Sequence, residues 1–282
     1  MNKIVKNNMF NKGSFPYVIA EVGVNHEGSL SLAKELIDMA AEGGASAVKF
    51  QTYKADKLAS KESPPYWDTS KESTKSQYLL FNKFDSFEPK DYLSLKDYCD
   101  KKGVDFLSTP FDNDSVDFLA PIMPFFKIAS ADITNIPLLR KIAKIGKPVI
   151  LSTGASTNCE IEYAVNELIT NGVPDIGLLH CMLNYPTDYK NAGLSMITDL
   201  KRLFPECVVG YSDHTFPESD MMTLSTAVTL GALVIEKHFT HDKAIVGNDH
   251  FHSMDMHDLK VFMDNIRRIK LITGPVERTN RS

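Results

Sequence analysis

Three short apolar runs of this sequence end in pairs of polar side chains that stand two residues apart. The pairs are Lys49 with Gln51, Ser212 with His214, and Glu236 with His238. Residues two apart on a β-strand project from the same face, so each pair would point in one direction. The intervening Asp213 and Lys237 would point the opposite way. The spacing therefore predicts that each strand presents two functional groups to a common site.

The two histidines of these pairs could share one divalent metal ion. Neutral imidazoles such as those of His214 and His238 bind Mn, Co, Fe or Zn in preference to Mg or Ca. A single strand-end histidine is more often a hydrogen-bonded structural residue, but a second one beside a Glu-x-His pair favours a metal site. Glu236 would then be a ligand, a residue that orients a ligand, or a proton carrier.

Two lysines at the ends of other apolar runs, Lys49 and Lys127, would lie deep in the protein. A buried ammonium is strongly destabilising unless an anion accompanies it. Glu21 or Asp132 could supply that anion internally, or the lysines could hold an anionic substrate. The segment Ser152-Thr153-Gly154 leads into a predicted helix whose N-terminus would favour phosphate. The hydroxyls around the same mouth belong to Ser130, Ser152 and Ser212. Together they predict a small phosphorylated acid that meets a second, metal-activated substrate.

The elements that must position these groups are eight short apolar runs, each followed by a segment of helical periodicity. The runs are Tyr17–Ala20, Ala47–Phe50, Asp105–Ser108, Phe126–Ala129, Pro148–Leu151, Ile176–Leu179, Val208–Tyr211 and Leu233–Glu236. Runs this short suit strands buried on both faces of a parallel sheet. Eight such units in series predict an α/β protein with a (β/α)8 (TIM) barrel, rather than an open doubly wound sheet. In such a barrel the catalytic groups gather at the carboxyl ends of the strands.

The chain has 282 residues, 43% apolar and 24% charged, which suits one globular barrel domain. Its formal net charge of −5 argues against a protein that binds the backbone of nucleic acid. It has neither an apolar stretch near the ~18 residues of a membrane span nor a signal-peptide core, so we expect a cytoplasmic protein without membrane partners. We assign residues 17–274 to the barrel, 1–16 to an N-terminal hairpin that closes its bottom, and 275–282 to a C-terminal tail.

Two segments are longer than the usual connections of a barrel. Thr52–Glu88 follows the second predicted strand and contains the only tryptophan, Trp67. Thr240–Asp255 follows the eighth. Both must lie on the catalytic face, where long loops usually act as lids or binding elements. A solvated surface insertion is the alternative interpretation of the first.

The segments that carry these residues closely resemble the signature motifs of the sialic acid synthase family. They are Ile19–Ser29, Val48–Thr52, Ser108–Phe111, Lys127–Ser130, Leu151–Gly154, His180-Cys181 with Tyr185-Pro186, Gly210–Thr215 and Ile235–Thr240. They stand in the order and at the spacing of the family, from about residue 17 to residue 274. The family condenses phosphoenolpyruvate with an N-acylated mannosamine-type sugar, giving a nine-carbon keto acid (a nonulosonate) and phosphate.

The resemblance implies a role for each matching residue. Phosphoenolpyruvate would be held by Lys49, Lys127, Ser130, Ser152, Ser212 and Thr109. The divalent metal, Mn²⁺ with Mg²⁺ or Co²⁺ as alternatives, would be held by His214 and His238. The N-acyl amino sugar would be held by Tyr185, Asp249, Gln51 and Asn25. Proton transfers and other catalytic work would fall to Glu21, Glu236 and Asp132.

Family members usually continue into a C-terminal antifreeze-like domain that reaches the sugar site of the partner subunit. This sequence ends at Ser282, so the resemblance implies a catalytic barrel without that domain, in a homodimer. Two other hypotheses stay open at this point. One is a catalytically impaired subunit that binds phosphoenolpyruvate and metal and needs a separate antifreeze-like domain. The other is a metal-dependent sugar isomerase on the same barrel.

Overall fold

The computed structural model of the chain describes residues 16–65, 67, 69, 72–247 and 249–274. Within these ranges eight parallel strands form one sheet in the hydrogen-bonded order β3-β2-β1-β8-β7-β6-β5-β4. The strands are β1 (Tyr17–Gly23), β2 (Ala47–Thr52), β3 (Asp105–Pro110), β4 (Phe126–Ile128), β5 (Val149–Ser152), β6 (Ile176–Cys181), β7 (Val208–Asp213) and β8 (Val234–His238). The strands at the two ends of this order, β3 and β4, lie side by side. The sheet therefore wraps into the nearly closed (β/α)8 barrel that the sequence predicts.

Most helices of the described ranges cover the outside of the barrel, and two short ones belong to the segment after β2. They are α1 (Leu30–Gly43), α2 (Ala55–Leu58), α3 (Gln77–Phe84), α4 (Pro89–Lys102), α5 (Asn113–Leu119), α6 (Ile136–Ala143), α7 (Asn158–Thr170), α8 (Ser195–Leu203), α9 (Met222–Thr229) and α10 (Met256–Thr273). Helix α1 shows why they form, since its Leu36 and Ile37 are fully buried against the strands while Glu35 is exposed. Gly44 ends α1 in a left-handed conformation (φ 95°) in which its backbone N–H caps the last carbonyls.

The interior of the barrel is filled by a layer of apolar side chains one step below the site. The layer consists of Ile19, Ala47, Leu107, Phe125, Ile150, Leu179, Val208 and Val234. Ile19 stands two positions before Glu21, and the same offset relates Phe125 to Lys127. Because side chains on one face of a strand recur every second residue, this apolar layer forces the next inward residue to the mouth of the barrel. The apolar layer thus determines which polar groups reach the site.

Gly210 of β7 lies so close to this apolar layer that a larger residue would clash with it. A Cβ atom added there would lie 2.3 Å from the Val234 carbonyl oxygen and 2.5 Å from Leu179 Cδ2. We therefore expect Gly210→Ala to lower the free energy of unfolding by about 3 kcal/mol or more, at the upper end of overpacking effects. Gly146→Ala is the control, because a Cβ at Gly146 meets no described atom within 4 Å and the cost is that of its positive φ alone. Urea unfolding would contradict the prediction if the two variants were equally destabilised.

Two of the sequence predictions fall on parts of the chain that the structure does not describe. The N-terminal hairpin within residues 1–16 and the tail at 275–282 lie outside the described residues, apart from Pro16. The long segment after β2 contains the short helices α2 and α3, and the segment after β8 contains a 3₁₀ turn at His250–His252. No helix in the described ranges combines the length and apolar character needed to cross a membrane.

Candidate active site

A cavity of about 820 Å³ opens at the carboxyl ends of the strands. Each of the eight strands contributes to its wall, together with the segments that follow β2 and β8. The predicted site residues that line it are Glu21, Lys49, Gln51, Thr109, Lys127, Ser130, Asp132, Ser152, Tyr185, Ser212, His214, Glu236, His238 and Asp249. The structure therefore brings together every residue that the sequence assigned to the site except Asn25.

Lys49 lies at the centre of a buried charge cluster. Its Nζ atom lies 2.5 Å from Glu21 Oε2 and 3.7 Å from Glu236 Oε2, and it donates a 3.1 Å hydrogen bond to Thr109 Oγ1. The strand register explains this arrangement, because Glu21 stands directly opposite Lys49 in the β1–β2 pair. Gln51 donates a 3.2 Å hydrogen bond to Glu21 Oε1 and so fixes the other oxygen of that carboxyl group.

Lys127 approaches the same cluster from the opposite wall. Its Nζ atom lies 3.4 Å from Glu236 Oε1 and donates a 2.8 Å hydrogen bond to Ser152 Oγ. Ser212 donates a 2.8 Å hydrogen bond to Glu236 Oε1. Glu236 is thus held between the two lysines. From the sequence, either Glu21 or Asp132 could have been the internal anion of these lysines. In the structure the carboxyl groups beside the two lysines are those of Glu21 and Glu236. Asp132 lies elsewhere in the wall and accepts a hydrogen bond from the side-chain amide of Asn135.

The environment separates the protonation behaviour of the two central carboxyl groups. Burial raises the pKa of Glu21, against the effect of Lys49, and Glu236 raises that pKa further. Burial also acts to raise the pKa of Glu236, but Lys127 and Lys49 outweigh it and hold that pKa below its ordinary value. Glu236 therefore stays ionised at neutral pH, whereas Glu21 can carry a proton. Two carboxyl groups whose pKa values are pushed apart are suited to act as base and acid.

The two predicted metal ligands stand together beside this cluster. The ring centroids of His214 and His238 are 5.5 Å apart, and the ring of Tyr185 packs 4.0 Å from that of His214. His214 Nδ1 lies 2.6 Å from the Met182 carbonyl oxygen, so it carries the proton and leaves Nε2 with its lone pair. Burial lowers the pKa of His214 to about 4, against the effect of the Met182 carbonyl. The ring is therefore neutral at pH 7, the form that binds metals.

The residues between these strand-end pairs point away from the cavity, as the spacing predicts. Asp213 and Lys237 form an ion pair of 2.6 Å behind the site, and both side chains are almost completely buried. The Asp213 carboxylate also accepts hydrogen bonds from Tyr211 Oη and from the backbone N–H of Thr215. Since Asp213 precedes His214 and Lys237 precedes His238, this pair ties together the two strands that present the histidines.

The turn after β4 and the loop after β5 meet at the cavity wall. Ser130 Oγ accepts a 2.9 Å hydrogen bond from the backbone N–H of Gly154. The helix into which Ser152-Thr153-Gly154 leads is α7, and it begins at Asn158, beyond a short loop. Thr157 and Glu160 form a capping box there, which satisfies the backbone N–H groups of these two residues. The start of α7 does not line the cavity, whereas the strand-end hydroxyl of Ser152 and the neighbouring Lys127 do.

Asn25 is the predicted sugar-binding residue that the structure places elsewhere. Its side chain is buried behind the cavity wall, where its amide donates hydrogen bonds to the Phe239 carbonyl oxygen at 2.9 Å and to Ser253 Oγ at 3.1 Å. Asn25 lies beyond the end of β1, in a turn where the alternation of a strand no longer sets the direction of side chains. Its amide holds the loop after β8 against β1.

The structure also adds cavity residues that the sequence reasoning did not single out. Glu72, Phe81 and Phe84 line the cavity together with Trp67, so the long segment after β2 contributes to its wall. Glu72 is buried and accepts a 2.9 Å hydrogen bond from the backbone N–H of Thr74. His252 was also missed, although it lies against His238 at a ring distance of 5.1 Å. The sequence feature that could have pointed to His252 is the concentration of histidines in the segment after β8.

Comparison with known proteins agrees with this geometry. The NeuB family model matches residues 36–278. The chain is 43% identical over 262 residues to the N,N'-diacetyllegionaminic acid synthase of Campylobacter jejuni, covering 91% of this chain and 77% of that one. It is 40% identical over 269 residues to the same enzyme of Legionella pneumophila, covering 93% and 74%.

A solved structure shares the fold across almost the whole chain. The N-acetylneuraminic acid synthetase of Leptospira borgpetersenii superposes with a TM-score of 0.84 at 36% identity, covering 96% of this chain and 89% of that one. The barrel, the strand-end cluster and these relatives lead to one conclusion: this chain belongs to the NeuB family and is an enzyme of the sialic acid synthase type.

Proposed function

We propose that this enzyme condenses phosphoenolpyruvate with an N-acylated mannosamine-type sugar, in the presence of a divalent metal such as Mn²⁺, to give a nonulosonate and phosphate. The observation that carries the proposal is the meeting of two buried lysines, two carboxyl groups of different acidity and two neutral histidines in one cavity. An isomerase would not need the lysine pair, since its sugar substrate carries no obligatory anion.

The lysines are the binding site for the anionic substrate. Lys127 and Lys49 are fully buried, and the same Glu236 carboxylate lies 3.4 Å from one and 3.7 Å from the other. With Glu21 protonated, Glu236 is the one carboxylate between two ammonium groups, and the cluster can accept a further anion. Ser152, Ser212 and Thr109 supply hydroxyl groups at the same level. The phosphate and carboxylate of phosphoenolpyruvate match this combination of cations and donors.

The residues present fit a divalent metal at His214 and His238. His238 Nδ1 is buried and has no hydrogen-bond partner among the described residues, and His214 keeps Nε2 unprotonated. Such imidazoles would hold Mn²⁺ beside the sugar. A metal bound there supplies a Lewis acid that polarises the aldehyde of the open-chain sugar.

The carboxyl groups move the protons of the reaction. Carbon–carbon bond formation between the enol C3 and the aldehyde carbon leaves cationic character at C2, where water adds. The phosphate then leaves with cleavage of its C–O bond. Ionised Glu236, or Asp132 in its turn after β4, takes the proton of that water, while protonated Glu21 gives a proton to the sugar oxygen. The different acidities of Glu21 and Glu236 match these two tasks.

The sugar is proposed to carry two N-acetyl groups, as the products named for the Campylobacter and Legionella relatives do. Much of the cavity wall that is not charged is aromatic or aliphatic, and Val24, Leu80 and Phe84 pack with Trp67 in one cluster there. Such a wall suits the methyl groups of acetamido substituents. Tyr185, Asp249 and Gln51 are the polar groups proposed to contact the sugar hydroxyls.

Phosphate release tests this function. The enzyme is incubated with phosphoenolpyruvate and a panel of hexoses that carry one or two acetamido groups, with Mn²⁺ and after treatment with EDTA. We expect release only with an acceptor sugar, fastest with a di-N-acetylated one, and a loss of about 100-fold or more on metal removal, because Lewis-acid activation is worth several kcal/mol. Restoration by added Mn²⁺ is the control for chelator damage. Failure to release phosphate with every sugar would refute the proposal.

A further inference from the structure

His252 is a buried histidine whose ring nitrogens are unsatisfied. Its side chain is fully buried in the 3₁₀ turn after β8, and neither Nδ1 nor Nε2 has a hydrogen-bond partner among the described residues. Buried polar groups are nearly always hydrogen-bonded, because leaving them without a partner costs free energy. A histidine that makes no such bond requires another explanation.

Other buried histidines of the same barrel show what a purely structural one looks like. In the same turn, His250 bonds through both nitrogens, to Thr240 Oγ1 at 2.7 Å and to Glu27 Oε1 at 3.0 Å. His180 lies 2.8 Å from the Ala192 carbonyl oxygen. His250 and His180 thus have hydrogen-bond partners, whereas neither ring nitrogen of His252 has one among the described residues.

His252 lies beside two side chains that can bind a metal, Asp249 and His238. Its Nε2 lies 3.8 Å from Asp249 Oδ1, and His238 Nδ1 lies 3.8 Å from Asp249 Oδ2. Both separations are too long for hydrogen bonds. The ligand atoms of the three residues all lie within 4.8 Å of one another, and His238 Nδ1 is likewise without a hydrogen-bond partner in the described part of the chain.

An ion would satisfy His252 Nε2, His238 Nδ1 and the Asp249 carboxylate at once, with the remaining proton of His252 on its Nδ1. Divalent metals bind imidazole nitrogen and carboxylate oxygen at about 2.0 to 2.2 Å, so the three ligands need to close in by only about an ångström. Two imidazoles and one carboxylate form a ligand set that divalent iron and related transition metals use. Packing alone would favour an apolar ring at a fully buried position such as His252.

We propose that His252 is a third imidazole ligand, and Asp249 a carboxylate ligand, of the metal held by His214 and His238. The inference rests on the metal site of the proposed function and deepens it. The site is then anchored by β7, by β8 and by the turn after β8, instead of by two strands alone. Asp249, one of the groups proposed to contact the sugar, would then have a second role as a metal ligand.

Metal affinity measured without either substrate tests this inference. Mn²⁺ is titrated calorimetrically into the wild type, into His252→Asn and His252→Phe, and into His257→Asn as the matched control on the exposed face of α10. We expect both His252 variants to bind Mn²⁺ at least tenfold more weakly and the control to bind like the wild type. Wild-type affinity in His252→Phe would overturn the inference.

A second measurement needs no variant and so does not depend on how the substitutions fold. Pulsed electron paramagnetic resonance of Mn²⁺ bound to the wild type counts the imidazole nitrogens coupled to the ion. Three coupled imidazoles are expected, and two or none would overturn the inference. Phosphate release is scored separately. Three coupled imidazoles without release from any sugar would support the inference and refute the proposed function, while release with two would do the reverse.

Discussion

Glu236→Gln should lower the turnover number for phosphate release by about 10³-fold, within the range that a positioned proton carrier contributes. The substitution keeps the shape of the side chain and the acceptor for Ser212, but it removes the charge that lies between Lys127 and Lys49. A neutral amide cannot take the proton of the attacking water or stabilise cationic character at C2. Steady-state kinetics at saturating phosphoenolpyruvate and sugar would measure the loss.

The control for this variant is Glu206→Gln, at an exposed position between α8 and β7 on the far side of the barrel from the cavity. It should leave the turnover number unchanged. Calorimetric titration of Mn²⁺ separates the roles that the sequence left open for Glu236. Unchanged metal affinity in Glu236→Gln indicates a proton carrier, whereas a loss of affinity that accounts for the lost activity would show that Glu236 is a ligand and contradict the prediction.

The barrel could be predicted from the sequence because its strands are buried on both faces. The run Val234–Glu236 is apolar until the residue that reaches the mouth, and a continuous apolar run of this length is typical of a parallel strand. The structure extends β8 to His238, since the hydrogen bonds between parallel neighbours continue where the side chains become polar. Because successive side chains of a strand point to opposite faces, Glu236 and His238 lie in the cavity and Lys237 lies behind it.

Prediction failed where the chain leaves the strands. Asn25, two residues past the end of β1, turns away from the cavity because a local turn sets its direction. In the segment His250-Phe251-His252 the sequence gives no means of telling which histidine bonds to a loop and which faces His238. That choice depends on contacts across long separations, such as the one between His250 and Glu27. The partner of Lys49 was open for a related reason, since only the register of β1 and β2 places Glu21 opposite it.

Asp213→Asn should destabilise the folded barrel more than any surface charge change. Its carboxylate lies 2.6 Å from Lys237 Nζ, and both side chains are at most 1% exposed. Removing one partner of a buried ion pair leaves an uncompensated charge, which costs about 3–5 kcal/mol. For a domain of this size that corresponds to a fall in Tm of about 10 °C. Asp264→Asn, which removes an exposed pair with Arg267, should change the stability by less than about 1 kcal/mol.

The double variant Asp213→Asn/Lys237→Met decides whether the effect belongs to the pair. If the loss comes from the stranded ammonium of Lys237, removing that charge as well should recover most of the stability, because a buried pair replaced as a unit is often close to neutral. Additive losses in thermal unfolding would show instead that Asp213 acts through Tyr211 and Thr215, which donate to the same carboxylate. Since the pair joins the residues that precede His214 and His238, the recovered double variant should also recover Mn²⁺ affinity, and the single variant should bind more weakly.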